Sequence, residues 1–466
     1  MSTASSISID MFRPPINRAM RVLDRSFFQK KVPLSAARVF DKTKIAKLRS
    51  ELGHDVLKLD RFQCVQSVRG SKGEEHKALL LNPQIKPDDA STWSPKLSEL
   101  VKSSQVEITL YNLELDYDYW NYSDIMDAIL PEDEHEDYPT GFSIVGHVAH
   151  LNLRNDYLPY KHLIAEVLMD KNHVVRTVIN KTDEVGEQNE YRTFSYELLA
   201  GEDDMNVEVN EENCTFRFDY SKVYWNTRLN TEHRRLVDKF KPGQAVCDVM
   251  AGVGPFAVPA GKKNVFVWAN DLNPDSYKSL QDAIERNKVQ PFVRAYNEDG
   301  HAFIRNSTNY LSATPIRVNI TPRPRRTTPP SPHAPQKFLT PPKTFTHYIL
   351  NLPATALSFL PSFISLYPPS HSTLFTPHTS TPLPLIHVYC FNTKSDDNRE
   401  EAVKICKEIS MQLGFEMRPG NAEREGEVEV WNVRDVAPKK TMFCASFRLP
   451  GEVAFREGGD GGREGL

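Results

Sequence analysis

Two acids and two glycines, spaced as a nucleotide ligand would need them, lie between Cys247 and Pro274. The run Cys247-Asp248-Val249-Met250-Ala251-Gly252-Val253-Gly254-Pro255-Phe256 ends an apolar strand on an acid and opens a helix through a Gly-x-Gly turn. Val265 to Asn270 reads as a second strand, closed by Asp271 about 20 residues further on, the spacing of a nucleotide-binding βαβ unit. Gly252 and Gly254 let the backbone approach a ligand that a Cβ would push away, and the helix start offers unpaired N–H groups. Asp271 can accept both ribose hydroxyls of an adenosine, with Leu272 packed on the adenine. The helix that follows has a better cap in Asn273, with Pro274 at its first position, which leaves Asp271 free. Downstream, Asn297-Glu298-Asp299-Gly300 supplies an acid for the exocyclic amine of adenine, on a turn that Gly300 permits. Asn351-Leu352-Pro353-Ala354 supplies a side-chain amide and a rigid backbone carbonyl that can grip a flat nitrogen heterocycle. Together these residues imply methyl transfer from S-adenosylmethionine onto a base nitrogen.

Other readings compete at each point. Gly252 to Ala257 also fits the G-x-G-x-x-A dinucleotide fingerprint. Pro255 and Phe256 narrow that turn where a pyrophosphate would sit, and no hydride-transfer set follows. Asp299-Gly300 is also a common turn. The segment Val223 to Arg235 combines cations, Tyr224, Trp225 and the triplet Thr231-Glu232-His233; its plain reading is a capped, solvated helix.

These residues need a scaffold, and the pattern around them predicts one. Strands are expected at 246–250, 265–270, 292–297, 348–352 and 386–391, with 427–434 and 442–449 closing the sheet. Helices are expected at 231–240, after Pro255, at 276–287 and at 399–413. Such alternation gives a parallel, doubly wound sheet, hence an α/β fold with a C-terminal Rossmann-like domain. Two smaller α+β domains are expected to precede it. The boundaries fall at 1–135, 136–224 and 225–450, with a tail at 451–466. In the first domain, 18–28 and 41–52 have helical periodicity and 105–115 looks like a strand. In the second, 160–169 suits a helix, and 174–180, 191–199 and 214–220 suit strands. The acidic run from Pro131 to Asp137 reads as a connector. Residues 307–342 and 368–384 are dense in Pro, Thr and Ser and read as disordered insertions.

Composition sets the outer limits. The chain has 466 residues, 39% hydrophobic and 25% charged, with no apolar run long enough to span a bilayer. A net charge of −4 does not announce a nucleic-acid binder, although local patches are hidden by such a sum. Six scattered cysteines imply neither a zinc site nor a disulfide framework. Arg13, Arg18, Arg21, Arg25, Lys30 and Lys31 suit either a mitochondrial presequence or a basic surface of the folded protein.

At these motifs the chain resembles the eukaryotic and archaeal tRNA (guanine(37)-N1)-methyltransferases. The resemblance also takes in Pro14 to Arg18, Leu23 to Phe28, Gly146 to Arg154, Leu158 to Lys161, Ala200 to Glu202, Ile386 to Phe391 and Arg434 to Pro438. It implies a class I fold without a trefoil knot, S-adenosylmethionine as donor and the guanine 3′ of the anticodon as acceptor. It places cofactor contacts at His233, Asp271, Leu272, Asp299, Gly300 and Asn351, which Asp248, Gly252 and Gly254 join from the turn. It places the general base at Glu232. Charge builds on the guanine O6 as N1 loses its proton, so a cation is expected there, Arg192 or Arg228, with Asn351 and Pro353 orienting the base. Tyr224 and Trp225 are the expected stacking partners of the extruded nucleotide. The expected partner is tRNA, with no membrane, no metal and a monomeric state, in cytoplasm, nucleus and mitochondrial matrix. The alternatives are a class I methyltransferase acting on another nitrogen and a non-catalytic tRNA-binding protein.

Overall fold

The structure, a computed structural model, describes residues 11–69, 74–131, 141–182, 191, 193–313, 316–321 and 336–457. The chain forms two compact units. The first comprises Met1–Phe142, Leu151–Val178 and Leu199–Gly201; the second comprises Ser143–His150, Ile179–Leu198 and Glu202–Leu466.

The first unit holds a four-stranded antiparallel sheet in the order Val65–Arg69, Glu75–Leu80, Lys30–Val39, Val106–Leu115. Leu79, Leu97, Val39 and Val106 meet in its core. The expected helix over 18–28 is absent, and only Arg25–Phe28 makes a 3-10 turn. Asn17 and Asp24 accept hydrogen bonds from the N–H groups of Ala19 and Ser26, which offers the backbone a local alternative to the helix. The basic residues here are built into the unit. Arg25 pairs with Asp170 at 2.8 Å, and the Arg21 guanidinium lies 4.2 Å from the Tyr160 ring centroid. The acidic connector lies outside the described residues beyond Pro131.

The second unit carries the site. The helices and strands that build its main sheet are, in chain order, α1 (Asn230–Asp238), β1 (Ala245–Asp248), α2 (Ala257–Lys262), β2 (Phe266–Asn270), α3 (Pro274–Arg286), β3 (Val293–Tyr296), α4 (Gly300–Ala313), β4 (His347–Leu350), β5 (Leu385–Thr393), α5 (Arg399–Leu413), β6 (Glu427–Ala437) and β7 (Lys440–Arg448). The sheet runs β3-β2-β1-β4-β5-β7-β6, with the short strand Arg418–Pro419 at its edge. Pairing is parallel from β3 to β5, with Cys247 opposite both Trp268 and Tyr348. β7 is antiparallel to its neighbours, and Tyr389 faces Cys444. The chain reverses strand order at β1 and β4, so the carboxyl ends of those strands open a crevice. Trp268, Tyr348, Phe345 and Phe363 are fully buried in the core around it.

Three expectations fail here. Residues 307–313 are helix, because α4 turns Phe303, Ile304, Ser307 and Leu311 inward on one stripe that its Ser, Thr and Asn content hides. Beyond it, Val318–Asn319 pairs with Phe338–Leu339, and 322–335 lie outside the described residues. The segment 368–384 is not a disordered insertion. Pro369–Leu374 is a 3-10 helix, and Phe375, 1% exposed, packs 4.9 Å from Tyr367 and 5.9 Å from Phe455. Gly451–Ala454 is a short helix with Val453 and Ala454 in the core, so it belongs to the domain rather than to a tail. All six cysteines are free thiols. No helix among the described residues is long and apolar enough to cross a membrane.

Candidate active site

The loops after β1, β2, β3 and β4 converge on one cleft. Its lining includes Gly252, Asp271, Leu272, Asp299, Gly300, Asn351, Pro353 and, from the segment before the sheet, Tyr224, Leu229 and His233. Ten of the fifteen distinct residues singled out above for catalysis, cofactor binding or stacking reach the lining, Trp225 among them.

Gly252 sits at φ +56°, a conformation L side chains rarely adopt, and a Cβ built there meets no protein atom within 4 Å. Its open side faces the space a ligand would take. Its N–H donates to Asp271 Oδ2 at 2.8 Å, which ties the glycine turn to the end of β2. Asn273 N–H donates to Asp271 Oδ1 at 3.0 Å, while the Asn273 side chain caps α3 through Asp275 N–H. Asp271 is therefore held by two backbone donors rather than left free. Burial pushes its carboxyl up to about 6 despite those donors.

The next loop is stitched to this one by amides. Asn270 Oδ1 accepts Glu298 N–H at 2.8 Å, and Asn297 Nδ2 donates to the carbonyls of Asp271 and Leu272 at 2.7 and 2.9 Å. Asp299 lines the same cleft as Leu272, which is 42% exposed. Asp299 also accepts Ala302 N–H at 3.0 Å at the start of α4. A Cβ on Gly300 would come within 2.9 Å of Phe359, so glycine is required by packing there.

Two residues of the turn lie behind the cleft rather than in it. Gly254, at φ +98°, lacks a Cβ because one would lie 2.6 Å from Leu280 of α3; its glycine serves helix packing. Asp248 is fully buried, and both its carboxylate oxygens lack hydrogen-bond partners. Burial, and then the nearby Asp271 charge, raise its carboxyl well above the usual range. Neither residue lines the cleft, so neither is placed to touch a ligand directly.

The tripeptide after β4 contributes unevenly. Asn351 lines the cleft, and its Oδ1 is shielded from solvent without a hydrogen-bond partner. The Pro353 carbonyl already accepts Phe391 N–H at 3.2 Å, and the Leu352 carbonyl is taken by Thr355 and Ala356 N–H. Pro353 therefore presents its ring, not its carbonyl, as the wall of the cleft.

Helix α1 brings two further groups. His233 is buried against Phe256, and its Nδ1 lies 2.5 Å from Glu211 Oε1. Glu232 is 4% exposed and does not line the cleft. Arg235 grips it with Nε on Oε2 and Nη2 on Oε1, both at 2.6 Å, and Tyr389 Oη donates to Oε1 at 2.7 Å. The Arg235 guanidinium lies 5.0 Å from the Trp431 ring centroid. Arg228 is exposed and outside the lining, and Arg192 lies outside the described residues. Trp225 is 6% exposed and packs on Phe216 and Phe218 at 5.4 and 5.3 Å, so it is core; Tyr224, 45% exposed, is free to stack. Glu211, Arg235 and Tyr389 were not singled out from the sequence. Arg235 stood in the cation cluster and Tyr389 in a matched motif, but their partners are distant in the chain. Among the described residues no group of three or more His, Cys, Asp or Glu could hold a metal ion.

Residues 207–311 match the TRM5/TYW2 methyltransferase domain, and residues 122–204 match the TYW2 N-terminal domain. A tRNA (guanine(37)-N(1))-methyltransferase of Aspergillus fumigatus is 55% identical over 98% of this chain and 98% of its own length. The chain belongs to the tRNA (guanine(37)-N(1))-methyltransferase family. Its relative from Emericella nidulans is 53% identical over 96% of both chains. In fold, this family member is similar to wild-type Trm5b from Pyrococcus abyssi, with a TM-score of 0.55, 19% identity, and coverage of 90% of this chain and 99% of that one.

Proposed function

We infer that this chain transfers a methyl group from S-adenosylmethionine to N1 of the guanosine at tRNA position 37, 3′ of the anticodon. Family membership supports the reaction, and one feature of the cleft carries the assignment of its acceptor side. Asn351 Oδ1 is a shielded acceptor without a donor, in the same cleft as the Asp271–Gly252 pair. An unmet polar atom of this kind costs about 1–3 kcal/mol, which an N–H of a bound base would recover.

The cleft fits the donor. Gly252 leaves open space at its Cα, Asp271 and Asp299 supply carboxylate acceptors, and Leu272 offers an apolar face. S-adenosylmethionine, when bound, supplies a methyl group on a sulfonium. The protein's residues do the rest. Asp271 and Leu272 hold the adenosine, Asn351 and the Pro353 ring orient the guanine, and Tyr224 stacks on a flipped-out nucleotide, which costs a few kcal/mol to extrude. Guanine N1 carries a proton that must leave as the nitrogen attacks. We assign its removal to Glu232, which Arg235 and Tyr389 hold as an oriented carboxylate. From its buried position the carboxylate must loosen from that pair to reach the cleft. Arg228, exposed and beside the same helix, is the cation we assign to the O6 side.

Mapping the methylated nucleoside in a tRNA transcript tests this reading. 1-Methylguanosine at position 37 is the expected product, and a methyl group at any other atom contradicts it.

A further inference from the structure

His233 is the one Lys, Arg or His among the described residues that line the cleft, against the two acids Asp271 and Asp299. S-adenosylmethionine carries a carboxylate at the end opposite its adenine, and that anion needs a donor. The adenosine end is spoken for by Asp271, Leu272 and Asp299, all on loops after β2 and β3. His233 instead comes from α1.

The ring is not free to turn. Its Nδ1 is fixed on Glu211 Oε1 at 2.5 Å, and both side chains are 4% exposed. The ring packs edge-on to Phe256 at 4.8 Å. An ionised carboxylate only accepts, so Nδ1 carries hydrogen. That leaves Nε2, which has no hydrogen-bond partner among the described residues, as the nitrogen available to a ligand. A neutral ring in this tautomer would present a lone pair there and repel an anion. A ring carrying hydrogen at both nitrogens would donate there, and in this geometry it faces the Glu211 carboxylate at 2.5 Å.

We propose that Glu211 is a positioning residue of the cofactor site: it fixes the His233 ring and balances its charge, so that Nε2–H donates to the methionyl carboxylate of S-adenosylmethionine. Glu211 reaches no ligand itself; it ends the strand Asn206–Glu211 and lies outside the cleft lining. This rests on the methyltransferase reading above, and it adds a fixed pair of buried side chains that the reaction alone does not require.

The test compares two ligands that share adenosine and differ at the tail. S-adenosylhomocysteine has the carboxylate; 5′-methylthioadenosine does not. Calorimetry on the full-length wild type comes first, since failure to bind S-adenosylhomocysteine would defeat the methyltransferase reading itself. In Glu211→Gln, an isosteric change that keeps an acceptor and removes the charge, affinity for S-adenosylhomocysteine should fall about tenfold, with 5′-methylthioadenosine unchanged. Equal loss of both ligands would make Glu211 merely structural, and no loss of either would remove it from the site. A collapse of the single-turnover rate with both affinities intact would give the pair to proton transfer instead. Nitrogen NMR of the wild-type His233 ring in the S-adenosylhomocysteine complex is independent of whether the variant folds. Hydrogen on both ring nitrogens is expected, and a neutral ring overturns the proposal.

Discussion

Tyr389 donates its phenolic hydrogen to Glu232 Oε1 at 2.7 Å, a bond that ties the middle of β5 to the first turns of α1. With the Arg235 fork on the same carboxylate, Glu232 is a buried, paired anion. A group so placed is both part of the fold and a candidate for chemistry, and the two roles separate by the choice of substitution.

Glu232→Gln keeps size and hydrogen-bonding capacity. It should leave S-adenosylmethionine affinity near wild type and lower the single-turnover rate by about 10²–10⁴-fold, the usual contribution of a positioned base. Glu232→Ala should also destabilise the fold by about 1–3 kcal/mol, because it leaves the half-buried Arg235 and the buried Tyr389 hydroxyl without their shared acceptor. A near-wild-type single-turnover rate for the Gln variant would remove Glu232 from the proton path.

Asp271 couples pH to both binding and stability. Its carboxyl, at about 6 in the fold, lies above the ordinary 3.8 because burial opposes the charge. Between those values the folded chain binds more protons than the unfolded chain, so the stability contributed by this group falls as pH rises through that window. Asp271→Asn should therefore flatten the dependence of urea stability on pH between about 4 and 6 in the unliganded protein. The same variant should lose at least tenfold in S-adenosylmethionine affinity. In the wild type, that affinity should drop as pH falls below about 6, where the ribose acceptor becomes protonated. Affinity flat from pH 7 to 5 would place the ribose elsewhere.

Much of the catalytic unit is legible in the sequence, and the reason is periodicity. Parallel strands buried on both faces read as apolar runs, and α5 appears at its expected bounds because its stripe is uninterrupted. Gly252, Asp271, Asp299 and Asn351 are legible because each follows the end of a strand. What stays hidden depends on partners far along the chain. Glu211 meets His233 across 22 residues, and Tyr389 meets Glu232 across 157. Composition misled where polar residues cover a short apolar stripe, as in α4 and around Phe375. It also could not show that the Pro353 carbonyl is spent on Phe391 N–H.

Phe375 tests that correction. A side chain 1% exposed between Tyr367 and Phe455 contributes its full packing. Phe375→Ala should cost about 3–5 kcal/mol and lower the melting temperature by several degrees. An unchanged melting curve would return residues 368–384 to the status of an unstructured insertion.

The central claim is that this cleft methylates N1 of one guanosine, and two tRNA transcripts test it most directly. One carries guanosine at position 37 and the other adenosine, each incubated with the purified protein and methyl-labelled S-adenosylmethionine. The account predicts label on the first alone, recovered as 1-methylguanosine. Equal labelling of both transcripts, or label on a different nucleoside, contradicts it.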